Sequence, residues 1–152
     1  MHARMKHPAF ILPDAMKALH ALHKSTEEAG ISQVLQELVF LRASQINGCH
    51  ACVEAGTCYA RQGGESDARL FAVAGWQKAR CFTDAERAAL GLAEAVTRLS
   101  DQTDPVPDDI WNEAVRHYEE TALATLVLAI ANVNVWNRLN AATRQVAGVW
   151  KP

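Results

Sequence analysis

What the chain lacks narrows its function first. Its 15 Lys+Arg against 17 Asp+Glu give a net charge of −2 with no dense basic block. That removes the electrostatic footprint expected of nucleic-acid binding or attachment to an anionic membrane. No segment approaches the roughly 20 apolar residues of a membrane span. The N-terminal stretch, residues 1–14, has basic residues but no apolar run of signal-peptide length. We therefore expect a cytoplasmic protein with neither nucleic acid nor membrane as partner. Convincing strands, internal repeats and low-complexity tracts are also missing, which leaves an all-α chain.

What is present suits one helical domain over residues 1–152, long enough to bury a core without disulfides or a structural metal. Met16, Leu19 and Leu22 recur at helical spacing in a first helix from about Asp14 to Glu28. A second helix, about Ser32 to Ile46, has Ser32 as its cap and Val34, Leu35, Leu38, Val39 and Ile46 for a core. A third runs from near Cys49 to the helix-breaking Gly63-Gly64 pair, and a fourth from about Ser66 to Lys78. Thr83-Asp84-Ala85-Glu86 is a capping box that opens the fifth. After Asp104-Pro105-Val106-Pro107 a sixth extends to about Tyr118. The last, about Thr121 to Val146, is apolar nearly all round in its first half and so suits burial on several sides, within the domain or against another subunit. Its Asn132, Asn134, Asn137 and Asn140 are candidates for hydrogen bonds across a helix contact, although exposure explains some of them as well.

Chemistry concentrates in Ser44-Gln45-Ile46-Asn47-Gly48-Cys49-His50-Ala51-Cys52. Asn-Gly favours a turn, and the residues after it read as a helix. Cys49 and Cys52 then fall in the opening turn, where unpaired backbone N–H groups and the macrodipole stabilise a thiolate. Three residues of helix bring both thiols to one face, so they can form a disulfide and resolve one another's oxidation. His50, inside the motif, stabilises a thiolate if it is protonated and close, and is otherwise an exposed imidazole. Two rival readings stay open on spacing alone. Zinc normally needs a second Cys/His pair, which Cys58, Cys81 and His117 do not supply. Alternatively, the pair is buried and inert. His20 and His23 read as solvated residues, and Cys58 and Cys81, without redox partners in sequence, as structural thiols. Glu37 sits at the margin of the second helix's apolar stripe, either a solvated carboxylate or a base facing the cysteine helix.

Glu37, then Cys49 and Cys52 with their Ser44–Gly48 lead-in, resembles the AhpD-like alkylhydroperoxidases of the carboxymuconolactone decarboxylase superfamily. Phe82-Thr83-Asp84-Ala85-Glu86-Arg87-Ala88-Ala89-Leu90 and Asn134-Val135-Trp136-Asn137-Arg138-Leu139 add to the likeness, which covers roughly Leu12 to Arg144. The resemblance implies a bundle of about six to seven helices with Cys-x-x-Cys at the N-terminus of the third. It also implies a homo-oligomer, commonly a trimer or hexamer, with thiol peroxidase activity. The residue matching Cys52 would attack the hydroperoxide, the one matching Cys49 would resolve it, and Glu37 would belong to a proton relay. A partner dithiol or protein reductant would restore the pair, and no metal, haem, flavin or other cofactor would be needed. One position departs from the family: the relay His expected one turn after the second Cys is Gly56. General acid–base help typically contributes 10²–10⁴-fold. The expected activity is therefore hydroperoxide reduction through Cys49 and Cys52, assisted by Glu37 and optionally His50. The alternative is a dithiol–disulfide oxidoreductase or redox sensor with weak peroxidase activity.

Overall fold

Helix α3 (Gln33–Ile46) is the axis of the molecule, because its apolar residues are spread around most of its circumference. Leu35 and Val39 enter one cluster with Leu92, Ala93, Leu126 and Ile130, whereas Leu38 and Leu41 enter a second with Leu70, Val73, Phe82 and Leu90. Four of these α3 side chains, Leu35, Leu38, Val39 and Leu41, are buried. Truncating one of the three leucines to Ala costs about 2–5 kcal/mol.

In the computed structural model, which describes residues 2–27, 30–101 and 103–148, the chain is all-helical. The remaining α-helices are α1 (Pro8–Ile11), α2 (Pro13–Lys24), α4 (His50–Gln62), α5 (Asp67–Ala72), α6 (Asp84–Thr97), α7 (Asp108–His117) and α8 (Glu120–Thr143). Helix α3 packs against α4, α6 and α8, and α7 closes over α6.

Most sequence signals act locally as expected. Ser32 Oγ accepts from the Leu35 N–H at 3.2 Å to start α3. The reciprocal bonds of the capping box, Glu86 N to Thr83 Oγ1 at 3.2 Å and Thr83 N to Glu86 Oε2 at 2.8 Å, start α6. Four elements differ from the expected ones. The cysteine helix is fourth rather than third, because His7 caps an extra short helix at Pro8: its Nδ1 accepts from the Ala9 N–H at 3.2 Å. The first long helix stops at Lys24, and the expected end at Glu28 lies outside the described residues. The helix after Ser66 gives way at Val73 to a single 3₁₀ turn ending at Gly75. The last helix stops at Thr143, where Arg144 turns left-handed with φ 52°. By length and composition alone α8 suffices to cross a membrane, against the expectation that no segment comes close. Half of its most apolar stretch is buried inside the bundle, as befits a core helix.

Candidate active site

The turn from α3 to α4 is three residues long and is built by Asn47-Gly48-Cys49. Asn47 remains in the right-handed region, and Gly48 alone takes the positive φ, 62°, that ends α3. Cys49 is then the cap of α4: its sulfur accepts the Cys52 N–H at 3.3 Å. A thiolate there lies where a helix start favours negative charge. Cys49 and Cys52 are joined as a disulfide with Cα atoms 5.3 Å apart. Each is only 3% exposed.

An asparagine ladder on α8 holds this turn in place. Asn47 Nδ2 donates to Asn137 Oδ1 at 2.8 Å and to Asn134 Oδ1 at 3.0 Å. Asn137 Nδ2 donates onward to Ser44 Oγ at 3.1 Å, and Asn134 Nδ2 to Thr97 Oγ1 at 3.1 Å. One turn beyond Asn137, Asn140 Nδ2 donates to Cys52 Sγ at 3.1 Å. Three of the four asparagines therefore bond across helix contacts, and the fourth, Asn132, is buried rather than exposed. The contact with Cys52 had no counterpart in the sequence reading, although the spacing of Asn134, Asn137 and Asn140 put them near one face.

Glu37 faces α4, but at a different level from the sulfurs. Helices α3 and α4 run antiparallel from their short turn, and Gly56 meets Phe40 and Leu41. Glu37, one turn earlier on α3, is thereby carried toward Tyr59, whose phenol is raised by burial and then by the Glu37 charge. Tyr59 lies about 10 Å along the α4 axis from Cys52. Glu37 is half-buried, and this desolvation pushes its carboxyl up to about 7. Among the described residues no hydrogen bond joins Glu37 to either sulfur. A carboxyl that ionises near neutrality is suited to general acid–base work.

The position of the expected relay His is filled from outside the helix. A Cβ at Gly56 would come within 2.7 Å of Phe40 Cδ1, so the Phe40 ring occupies the space beside α4 one turn after Cys52. His50 is exposed on the first turn of α4. His20 and His23 are exposed on α2, in line with the solvated reading. Cys58 is half-buried, while Cys81 is an exposed thiol rather than a buried structural one. Among the described residues no group of three or more His, Cys, Asp or Glu side chains could hold a metal ion. Two surface cavities, about 550 Å³ between α6 and α7 and about 240 Å³ between α3, α4 and α5, are lined by neither cysteine.

An all-α bundle whose internal helix opens on a Cys-x-x-Cys disulfide defines a class, the AhpD-like helical proteins. Residues 13–95 match the Carboxymuconolactone decarboxylase family, and the chain belongs to that family. It is 34% identical over 132 residues to the uncharacterized protein YdfG of Bacillus subtilis, covering 87% of this chain and 88% of that one. Among solved structures it resembles a protein of unknown function from Agrobacterium tumefaciens, provisionally named as the antioxidant defence protein AhpD. The TM-score is 0.89, with 30% identity, over 98% of this chain and 100% of that one. The apo form of the debrominase Bmp8 superposes with a TM-score of 0.80 at 25% identity, over 90% of this chain and 73% of Bmp8. Enzymes of different chemistry thus share this scaffold, and the Cys-x-x-Cys pair is consistent with a peroxidase-related role.

Proposed function

We propose that the protein is a thiol-dependent hydroperoxidase that works through Cys49 and Cys52. The observation carrying this reading is the buried disulfide at the start of α4, with one N–H donor on each sulfur. In the reduced protein the Cys52 thiolate attacks the distal peroxide oxygen. The O–O bond breaks, Cys52 becomes a sulfenic acid, and the alkoxide takes a proton to leave as the alcohol (or as water, from hydrogen peroxide). The Cys49 thiol then attacks the sulfenic sulfur, forming the disulfide and releasing water. An external dithiol or protein reductant restores the pair by exchange and is itself oxidised to a disulfide. Glu37 assists proton movement through water at the α3–α4 interface, and His50 adds positive charge near the helix start when protonated. No metal or organic cofactor enters the scheme.

We assign the protein to the cytoplasm, where reductants keep such a pair cycling, and to a homo-oligomer, a trimer or hexamer. Support for assembly comes from exposed Phe10, Ile11 and Leu12 around the α1–α2 junction and from Leu128 and Val135 on the outer side of α8. The reading is tested by adding an organic hydroperoxide to reduced protein. Stoichiometric disulfide formation between Cys49 and Cys52 is expected, and it is lost in Cys52→Ser.

A second reading is favoured by Phe40. Its ring lies where the relay His would stand, so disulfide exchange or redox sensing becomes the main activity if peroxide reacts slowly. Rapid equilibration with an oxidised small dithiol, beside negligible peroxide consumption, identifies that case.

A further inference from the structure

We propose that Asn140 is a catalytic residue: its side-chain amide holds the Cys52 sulfur as the thiolate that attacks the oxidant and that leaves when a reductant opens the disulfide. The geometry is direct. Asn140 Nδ2 lies 3.1 Å from Cys52 Sγ, reaching it from α8 across the helix contact. A sulfur in a disulfide carries no hydrogen, so only the amino end of the amide makes a favourable contact there. Cys52 is almost fully buried, and in that setting a fixed N–H donor counts for more than it would in water. The backbone N–H of Cys52 is directed to the other sulfur. Asn140 is the donor that serves Cys52.

Fixation comes from the ladder below it. Asn137, one turn earlier on α8, is fully buried and bonded to both Asn47 and Ser44, which pins α8 against the α3–α4 turn. Asn140 is therefore presented to Cys52 by a rigid element rather than by a loop. An amide does not titrate, so it stabilises the thiolate without acting as a base. That separates its contribution from any proton transfer by Glu37.

The same bond acts in both halves of the cycle. In oxidation it favours ionised Cys52 before attack. In reduction, a reductant thiolate attacks Cys49 Sγ, a reductant–Cys49 disulfide forms, and the Cys49–Cys52 bond breaks with its electron pair leaving on Cys52. The second reductant thiol then attacks its own sulfur in the mixed disulfide and releases Cys49. Naming Cys52 as the attacking thiol rests on the reading under Proposed function; the effect on its ionisation does not.

The test uses full-length Cys49→Ser protein, in which Cys52 titrates without a coupled partner and Ser keeps a good helix cap. Alkylation of Cys52 by iodoacetamide is followed against pH by peptide mass spectrometry, with Cys58 as the internal control. Replacing the donor in Asn140→Leu is expected to raise the Cys52 midpoint by about one pH unit and to slow its alkylation about tenfold at pH 7. Asn140→Asp, of nearly unchanged shape but with a carboxylate facing the sulfur, is expected to raise it further, with Cys58 unmoved in both. If the Leu variant does not fold, the Asp variant decides. An unshifted Cys52 in a folded variant overturns the proposal. Because no peroxide is present, a shifted Cys52 in a protein that ignores hydroperoxides upholds Asn140 and removes only the peroxide reading. Peroxide turnover with an unshifted Cys52 does the reverse.

Discussion

Phe40 and Gly56 are matched across the α3–α4 interface: the ring of one fills the space that a side chain on the other would need, with 2.7 Å left to a Cβ. Glycine inside a helix costs about 1 kcal/mol relative to alanine, so intrinsic propensity favours replacing it. The close approach of the two helices reverses that preference. Gly56→Ala is expected to destabilise the protein by about 1–3 kcal/mol through overpacking, read from urea denaturation. Gly56→His should destabilise it by at least as much, and combining it with Phe40→Ala should recover part of the loss. Stability unchanged by Gly56→Ala would show that the ring gives way freely.

The half-buried Glu37 makes stability depend on pH with a definite sign. Its carboxyl ionises at about 7 in the folded chain, above its ordinary value of 4.5. The folded state thus holds the proton more tightly, and the stabilisation is complete below the unfolded value. It is lost as pH rises between the two values and stays lost above about 7. Relative to wild type, Glu37→Gln should therefore gain on the order of 1–3 kcal/mol between pH 5 and pH 8. Denaturation at both pH values measures it, and a gap that stays constant contradicts the assigned burial effect.

The asparagine ladder should behave as a unit. Asn137→Ala leaves Asn47 and Ser44 short of partners in a buried site, and a loss of about 2 kcal/mol is expected. It should also slow Cys52 alkylation, because Asn140 stands on the same helix one turn on. A double variant with Asn140→Leu should then show less than the sum of the two effects on alkylation.

The capping box of α6 provides a calibration far from the sulfurs. Thr83→Ala removes the bond to the Glu86 N–H and should cost about 1 kcal/mol, with no change in Cys52 reactivity.

The parts of this fold that sequence revealed are those governed by neighbours along the chain. Ser32, Thr83 and the Gly48 turn mark helix boundaries through bonds spanning three or four residues, and such bonds need no tertiary context. The Cys-x-x-Cys spacing was legible for the same reason. What was not legible depends on how helices meet. Gly56 read as a missing side chain, whereas the structure places the Phe40 ring there, sixteen residues earlier in sequence. Asn140 belonged to a noted run of asparagines, but its link to Cys52 spans 88 positions and follows from the packing of α8 on α4. For Glu37 the sequence leaves solvent and the cysteine helix both open, because its level, opposite Tyr59, is set by the antiparallel register of α3 and α4. The added helix at Pro8 is the exception: its His7 cap spans only two residues and is as local as the signals at Ser32 and Thr83.

The most direct test of the account is the fate of the two sulfurs in a single turnover. Reduced wild type and Cys52→Ser would be mixed with one equivalent of an organic hydroperoxide, quenched at intervals, and analysed by mass spectrometry. The account predicts that the wild type passes to a Cys49–Cys52 disulfide with release of one equivalent of alcohol. It also predicts that Cys52→Ser yields neither disulfide nor alcohol above the uncatalysed rate. Alcohol formed equally fast by Cys52→Ser, or a wild type whose pair stays reduced, would contradict it.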